Sequence, residues 1–277
     1  MLSKTIQAIF IQPIANLILI PSLLTKSIGW GVVIASSLIQ LVLAATIWSR
    51  YKTLQKIAQI HPLLEKYKKK YAKKPHMLAK KKQELYAKYN IKTRKMWLPL
   101  LLSIPFLIAA FSLVKGISEN GINHLIKYAY PFVLSHVNAS YITDISLTLL
   151  GINLTQKPPL FLLAVMFVTS VITTYMNQKF FTYLPREKNL EEIKKTFKNF
   201  PALEEKEIEM FAKFTYHTQQ LQVYAASLIT VIFMRIFPAV ISIYFITYNI
   251  MQAIILITMY IFTGGGVTLP NKSTKKQ

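Results

Sequence analysis

The chain has 277 residues, of which 53% are hydrophobic, and its formal net charge at pH 7 is +22. A soluble domain of this size is rarely both so apolar and so basic, whereas a polytopic membrane protein combines apolar spans with basic loops on one side. The absence of cysteine excludes disulfides, thiolate metal sites, cysteine nucleophiles and a lipoprotein anchor. The composition therefore predicts an all-α polytopic membrane protein.

The N-terminal segment, residues 1–27, is apolar but is interrupted by Pro13 and Pro21. We expect a helix over roughly Lys4 to Leu24 that lies along the membrane surface and leads into the first span. A cleaved signal peptide is the alternative, but no clear small-x-small cleavage site precedes the next apolar run.

The next segment, residues 29–49, is apolar over the length that an α-helix needs to cross a bilayer. Ser36, Ser37 and Gln40 interrupt it and, at spacings of three and four, fall on one helical face. A polar stripe at mid-membrane depth is costly in lipid, so it should face a protein interior or a wet cavity. An ordinary hydrogen bond between neighbouring helices would explain the stripe equally well.

The most basic part of the chain is residues 50–95, where Glu65 and Glu84 are the only acidic residues. Apolar residues recur at helical spacing on both sides of Pro75, which predicts two amphipathic helices folded into a hairpin at Lys74–His76. So basic a loop should be cytoplasmic. Contact with anionic lipid would explain most of its charge, and contact with ribosomal RNA or the signal-recognition machinery is the sharper hypothesis. The candidate contact residues are Lys68, Lys69, Lys70, Lys73, Lys74, Lys80, Lys81 and Lys82.

The remaining chain alternates apolar and polar stretches. Together with residues 29–49, the apolar stretches predict five spans in a core over residues 28–262, the other four being 96–114, 160–176, 219–236 and 239–262. The polar stretches are an outer loop over 115–159, a cytoplasmic loop over 179–217 and a cytoplasmic tail over 263–277. Basic residues are sparse in the outer loop and dense in 50–95, so the N-terminus should lie outside and the C-terminus in the cytoplasm.

Several segments carry a family resemblance, in order and over nearly the whole chain. They are FIQPIANL at residues 10–17, Trp30-Gly31, QIHPLLEKYK at 59–68, LPLLLSIP at 98–105, LGINLT at 150–155 and FPAVISIYFITYN at 237–249. Each alone is weak because most of its residues are apolar. Their number, order and spacing resemble the YidC/Oxa1/Alb3 family of membrane protein insertases, and the short N-terminus resembles the compact bacterial members.

The resemblance implies a fold and a mechanism. In this family five transmembrane helices enclose a hydrophilic groove that opens to the cytoplasm and to lipid and is closed on the outside. The polar part of a nascent membrane protein rests there while its apolar span enters the bilayer, without ATP, cofactor or metal. The implied partners are nascent membrane proteins and membrane lipids, with the Sec translocon, the ribosome and the signal-recognition machinery as further candidates. The implied location is the cytoplasmic membrane of a bacterium.

The chain also departs from the family pattern. The family's groove arginine corresponds to Gln40, the glutamine of its second span to Ser103, and the tryptophan of its fifth span to Phe245. Glutamine keeps two donors and an acceptor but lacks the permanent charge. The expected groove is therefore polar and uncharged, and its candidate residues are Ser36, Ser37, Gln40, Ser103, Thr173, Asn177, Thr247 and Asn249.

Other functions are less well supported. Loss of the arginine makes a channel or transporter for a small solute conceivable, but no Asp or Glu lies in the predicted spans to couple ions or protons. A chaperone that assembles membrane proteins without inserting them is a further alternative. An enzyme is not expected, because the five histidines are scattered without the spacing of a metal or catalytic motif.

Overall fold

The computed structural model describes residues 7–72, 74–135, 144–181, 190–191, 193–194, 204–265 and 267, with backbone alone for residues 95–96, 98–100, 102–107, 110, 219–220 and 222–223. Almost all of this part is helical. After a π-helical turn, Gln7–Ile11, the helices are α1 Gln12–Thr25, α2 Ile28–Lys70, α3 Pro75–Lys88, α4 Arg94–Asn120, α5 Asn123–Ile126, α6 Pro131–Ser135, α7 Leu160–Phe181, α8 Glu205–Met234 and α9 Ala239–Phe262. A two-stranded antiparallel hairpin, β1 Thr148–Leu149 and β2 Ile152–Asn153, precedes α7.

The chain divides into two compact units, each described here by itself. The first comprises Met1–Ala45, Pro99–Thr173 and Ser227–Ile255, and the second Thr46–Leu98, Thr174–Ala226 and Leu256–Gln277. The boundaries fall inside α2, α4, α7, α8 and α9, so each of these helices contributes one segment to each unit.

The first unit has a hydrophobic core built from α1, the segments of the long helices that belong to this unit and the loop segments between α4 and α7. Asn16 on α1 is a polar residue inside it, with 3% of its surface exposed. Its Nδ2 donates to the carbonyl oxygens of Gln12 at 2.7 Å and Tyr128 at 3.0 Å, and its Oδ1 accepts from the Tyr130 amide at 2.9 Å. One side chain therefore fixes α1 to the segment that follows α5.

Small residues let the start of α2 approach its neighbours closely. A Cβ at Gly31 would collide with Ser22 Oγ and the Ile18 carbonyl of α1, and a Cβ at Gly29 would lie 2.6 Å from Leu149 Cβ of β1. The backbone adds a bridge, in which the Ser146 amide donates to the Lys26 carbonyl at 2.9 Å. Glycine is thus required where α2 enters this unit.

The turn of the β-hairpin consists of Leu150 and Gly151, with φ values of 49° and 79°. Two consecutive residues with positive φ are typical of a type I′ turn, whose twist matches that of the flanking strands. Leucine is an unusual residue for the first position, and its side chain is 86% exposed. The hairpin was not predicted, although residues 150–155 were singled out for their family resemblance within the predicted outer loop.

The second unit is organised around an aromatic contact. Tyr51 of α2 is 2% exposed, and its ring centroid lies 4.8 Å from that of Phe180 at the end of α7. The Phe180 carbonyl accepts a hydrogen bond of 3.0 Å from the Val267 amide, beyond α9. The Arg50 guanidinium lies 4.2 Å from the centroid of the Phe181 ring. These contacts join the middle of α2, the end of α7 and the chain that follows α9 within this unit.

The helices extend beyond the predicted spans. α2 continues without a break through Arg50 and accommodates Pro62, so the first helix of the predicted hairpin is the same helix as the first predicted span. α8 likewise begins at Glu205, within the predicted cytoplasmic loop, rather than at Gln219. Both extensions follow from the sequence, since no glycine or proline lies at either predicted boundary. Much of the predicted cytoplasmic loop lies outside the described residues.

Four helical segments of the described part are long and apolar enough to cross a membrane: Gln7–Thr25, α2, α7 and α9. The apolar part of α8 is shorter, Tyr224–Met234. The first of these segments is the one predicted to lie along the membrane surface. The chain is thus a mostly helical membrane protein, and the number of spans stays a prediction.

Candidate functional site

The predicted polar stripe lies on α2 in the first unit. Ser36 and Gln40 are one turn apart and each is 3% exposed, whereas Ser37 is half-buried. Ser36 Oγ donates to the Val32 carbonyl at 2.6 Å, and Ser37 Oγ donates to the Val33 carbonyl at 2.8 Å. Both hydroxyl donors are therefore satisfied within their own helix.

Gln40 differs from these serines. Its side-chain amide makes no hydrogen bond to any residue in the described part of the chain, although the residue is buried. An amide carries two donors and an accepting oxygen. Neither its nitrogen nor its oxygen is a fully buried atom without a partner, so part of the amide is accessible although most of the residue is buried.

A second polar group lies on α7 and α9 in the same unit. Thr173 Oγ1 is 2.8 Å from the Asn249 carbonyl oxygen and 2.9 Å from that of Thr169. Thr247 Oγ1 donates to the Ile243 carbonyl at 2.9 Å. Three of the predicted residues, Thr173, Thr247 and Asn249, are buried. A hydrogen bond joins the Thr173 side chain directly to the Asn249 backbone.

α9 carries further buried polar residues that were not among the predicted groove residues. Ser242 is fully buried, and its Oγ is the buried side-chain polar atom without a partner among the described residues. Gln252 is 9% exposed. Ser242 and Asn249 are seven residues apart, two turns along α9, so they share a face. That spacing was the signal that could have identified Ser242.

The remaining predicted groove residues are less informative. Asn177 belongs to the second unit and is half-buried. Ser103 lies on α4, where the structure describes the backbone alone. Among the described residues no hydrogen bond joins Gln40 to the Thr173–Asn249 pair. The structure thus places these predicted residues in two separate buried polar groups, and the groove itself stays a prediction.

The predicted basic surface lies on the facing ends of α2 and α3 in the second unit. α2 ends at Lys70 and α3 begins at Pro75, on either side of the predicted turn. Lys73 lies outside the described residues. Of the other candidates, Lys81 is half-buried. The remaining ones are exposed: Lys68, Lys69, Lys70, Lys74, Lys80 and Lys82.

One lysine of this surface is already paired. Lys81 Nζ lies 2.7 Å from a Glu84 carboxylate oxygen. This hydrogen bond and the attraction between the two charges raise the pKa of Lys81, and the same bond lowers the pKa of Glu84. Lys81 therefore offers a partner less net charge than its neighbours do.

The two helices of the hairpin meet across an amphipathic seam. A cavity of about 220 Å³ between them is lined by Ile57, His61, Leu64, Lys68, Leu78, Lys82 and Tyr86. Its lining combines leucine and isoleucine side chains with two lysines whose side chains are exposed. Leu85 of α3, which directly precedes the lining residue Tyr86, is also buried, with 5% of its surface exposed. The apolar spacing that predicted two amphipathic helices therefore corresponds to this seam.

Among the described residues, no three histidine or acidic side chains come together as metal ligands. The candidate site residues are neutral polar groups within apolar helices and ammonium groups on a helical hairpin.

Comparison with known proteins identifies the family. Residues 20–263 match the family described as 60Kd inner membrane protein. The membrane protein insertase YidC 1 of Streptococcus pyogenes serotype M6 is 35% identical over 96 residues, which are 33% of this chain and 35% of that protein. The membrane protein insertases YidC of Fusobacterium nucleatum and Clostridium tetani are 31% and 34% identical over 32% and 33% of this chain and 43% of each relative.

The chain thus matches less than half the length of each of these relatives, while the family model covers most of the chain. The bacterial relatives and the apolar helices together indicate a multi-pass protein of a bacterial inner membrane. The chain belongs to the 60Kd inner membrane protein family, which is the YidC/Oxa1 family.

Proposed function

We propose that this protein is a membrane protein insertase that assists nascent membrane proteins into the bacterial inner membrane without ATP. The observation that carries the proposal is the family match over residues 20–263, which includes the whole core predicted from the sequence, residues 28–262. The relatives that share a third of the chain carry the name of insertases, which supports the same activity here.

The working surface of the proposed insertase is a groove between five transmembrane helices, lined by Gln40 and the polar groups of α7 and α9. Moving a charged residue to the bilayer centre costs about 2.5–3.5 kcal/mol on insertion scales. A polar groove lowers that cost by hydrating or hydrogen-bonding the segment that must cross. The side-chain amide of Gln40, which makes no hydrogen bond within the described residues and is not fully enclosed, supports a role in binding that segment.

The proposed topology has the N-terminus outside, five spans within residues 28–262 and the C-terminus in the cytoplasm. The basic hairpin of α2 and α3 would then receive clients, and with them the ribosome, the signal-recognition machinery or the Sec translocon, at the cytoplasmic face. The exposed lysines of the hairpin support contact with an acidic partner. No covalent chemistry is needed, so we propose that the protein is not an enzyme.

The test is insertion of a small single-span client into liposomes that contain only this purified protein, without ATP. Protease protection of the client's outer segment reports insertion, and empty liposomes give the background. Protection above background is expected, and it should persist when acidic residues are removed from the client segment. A folded protein that gives no protection would refute the insertase, and solute flux in the same liposomes would then identify a channel or transporter.

The role of Gln40 is tested separately. Gln40→Leu should lower insertion roughly 2- to 12-fold, the equivalent of one hydrogen bond worth about 0.5–1.5 kcal/mol, and more than Gln40→Arg does. Gln83→Leu, an identical change at an exposed position of α3, is the matched control. Wild-type insertion by both Gln40 variants would refute the polar groove while leaving the insertase activity intact.

A further inference from the structure

A cationic cavity of about 190 Å³ lies in the second unit, apart from the predicted hairpin lysines. Ser49, Lys52, Thr53 and Lys56 line it from α2, and Asn90 and Lys92 line it from the connection between α3 and α4. The four α2 residues follow one another at spacings of three, one and three, which places them on one helical face. A continuous wall of α2 therefore faces the connection.

The chemistry of this cavity is that of an anion site. Its described lining carries three ammonium groups, from Lys52, Lys56 and Lys92, and no carboxylate. Lys56 Nζ reaches the Asn90 carbonyl oxygen at only 3.5 Å, so this contact leaves its other protons available. Three like charges around one cavity repel one another, and a bound anion would relieve that repulsion.

The connection that closes the cavity is held in place by its own backbone. Asn90 has a φ of 50°, a left-handed conformation that asparagine tolerates better than most residues. Its amide donates to the Ala87 carbonyl at 3.0 Å, and the Ile91 amide donates to that of Tyr86 at 2.8 Å. Lys92 is therefore presented from a fixed turn rather than from a loose loop.

Two exposed tryptophans place the cavity at a membrane surface. Trp48 directly precedes Ser49 and is 37% exposed, and Trp97, five residues after Lys92, is 63% exposed. Tryptophan is enriched where lipid headgroups meet the hydrocarbon. The Lys52 ammonium lies 5.3 Å from the Trp48 ring, which brings a charge and an interfacial aromatic together. Ser49 also follows immediately on the apolar run of residues 29–49.

We propose that this cavity binds the phosphate headgroup of an anionic membrane lipid such as phosphatidylglycerol. Basic pockets beside membrane helices on the cytoplasmic side suit such headgroups. The position of the two tryptophans favours a lipid over RNA, because a lipid phosphate lies at the level where tryptophan rings collect. The site is independent of the groove and of the insertase activity.

The experiment measures binding of short-chain phosphatidylglycerol and phosphatidylcholine to the purified full chain by native mass spectrometry. Phosphatidylglycerol should bind at least tenfold more tightly. The triple variant Lys52→Gln, Lys56→Gln, Lys92→Gln should lose at least tenfold in that affinity. The matched control, Lys69→Gln, Lys70→Gln, Lys74→Gln, removes the same charge from exposed hairpin positions and should lose less than twofold.

Three results would overturn the proposal. Equal losses in the two glutamine triples would show that net charge, not this cavity, attracts the lipid. Displacement of the lipid by inorganic phosphate at equal concentration would identify a free-anion site, and tighter binding of a short RNA duplex through the same lysines would identify an RNA site. Arginine at the three positions keeps the charge and should retain binding, which separates loss of the site from loss of folding.

Discussion

Replacing Asn16 with leucine should weaken the attachment of α1 to the first unit. The change removes the donor to the Tyr128 carbonyl and the acceptor of the Tyr130 amide, 3.0 Å and 2.9 Å away. Both backbone groups then lie unpaired against a buried apolar side chain. Leaving a buried polar group unpaired costs about 1–3 kcal/mol, so we expect a net loss of about 2–4 kcal/mol after the gain from burying leucine.

Hydrogen exchange of the purified protein in detergent measures this loss locally. The Tyr130 amide should exchange roughly 30- to 900-fold faster in Asn16→Leu, the factor that corresponds to 2–4 kcal/mol. Asn123→Leu makes the same change at an exposed position of α5 and should leave Tyr130 protected. Unchanged exchange at Tyr130 in Asn16→Leu would refute the reasoning that this side chain holds α1 in place.

Three further predictions concern the same unit. Leu150→Asn should raise the thermal unfolding temperature, because asparagine tolerates the positive φ of the turn that costs leucine about 1 kcal/mol; an unchanged temperature would contradict this. Gly31→Ala should lower the free energy of unfolding by about 1–3 kcal/mol, because its Cβ would collide with Ser22 Oγ. A variant as stable as its parent in thermal unfolding would count against this close contact. Burial, more than nearby charge, holds the pKa of His124 below its usual value of about 6.5. As the pH is lowered, this imidazole therefore takes up a proton in the unfolded chain before it does so in the folded protein, and the free energy of unfolding should fall below about pH 6.5. His124→Phe should remove that dependence when thermal unfolding is measured at several pH values.

Sequence pattern predicted those features that depend on local periodicity. The spacing of Ser36 and Gln40 places both on a buried face of α2, where the structure has them. Pro75 predicted the break between the hairpin helices, and α3 begins at that residue. Helical periodicity and a proline with fixed φ are properties of neighbouring residues, so a sequence read locally can reveal them.

Other features depend on residues distant in sequence and were not predicted. Asn16 is an ordinary polar residue in an apolar stretch until Tyr128 and Tyr130 fold against it. The β-hairpin at Leu150 lacks the Asn-Gly or Asp-Gly signal that usually identifies such a turn. The continuity of the first predicted span with the first hairpin helix was not predicted either. A change from apolar to basic composition does not end a helix when no glycine or proline accompanies it, and α2 runs without a break through Arg50.

The bonds of Asn16 also determine when this unit can be completed during synthesis. Its partners follow it by 112 and 114 residues, so they do not exist when α1 leaves the ribosome. At about 5–20 residues per second, translation reaches them roughly 6–23 s later. During that interval the side chain can keep its bond to the Gln12 carbonyl within α1, but its oxygen and its other donor must be satisfied by water or by lipid headgroups. This protein therefore depends early in its own biogenesis on a polar environment near the membrane for an N-terminal segment that it later buries.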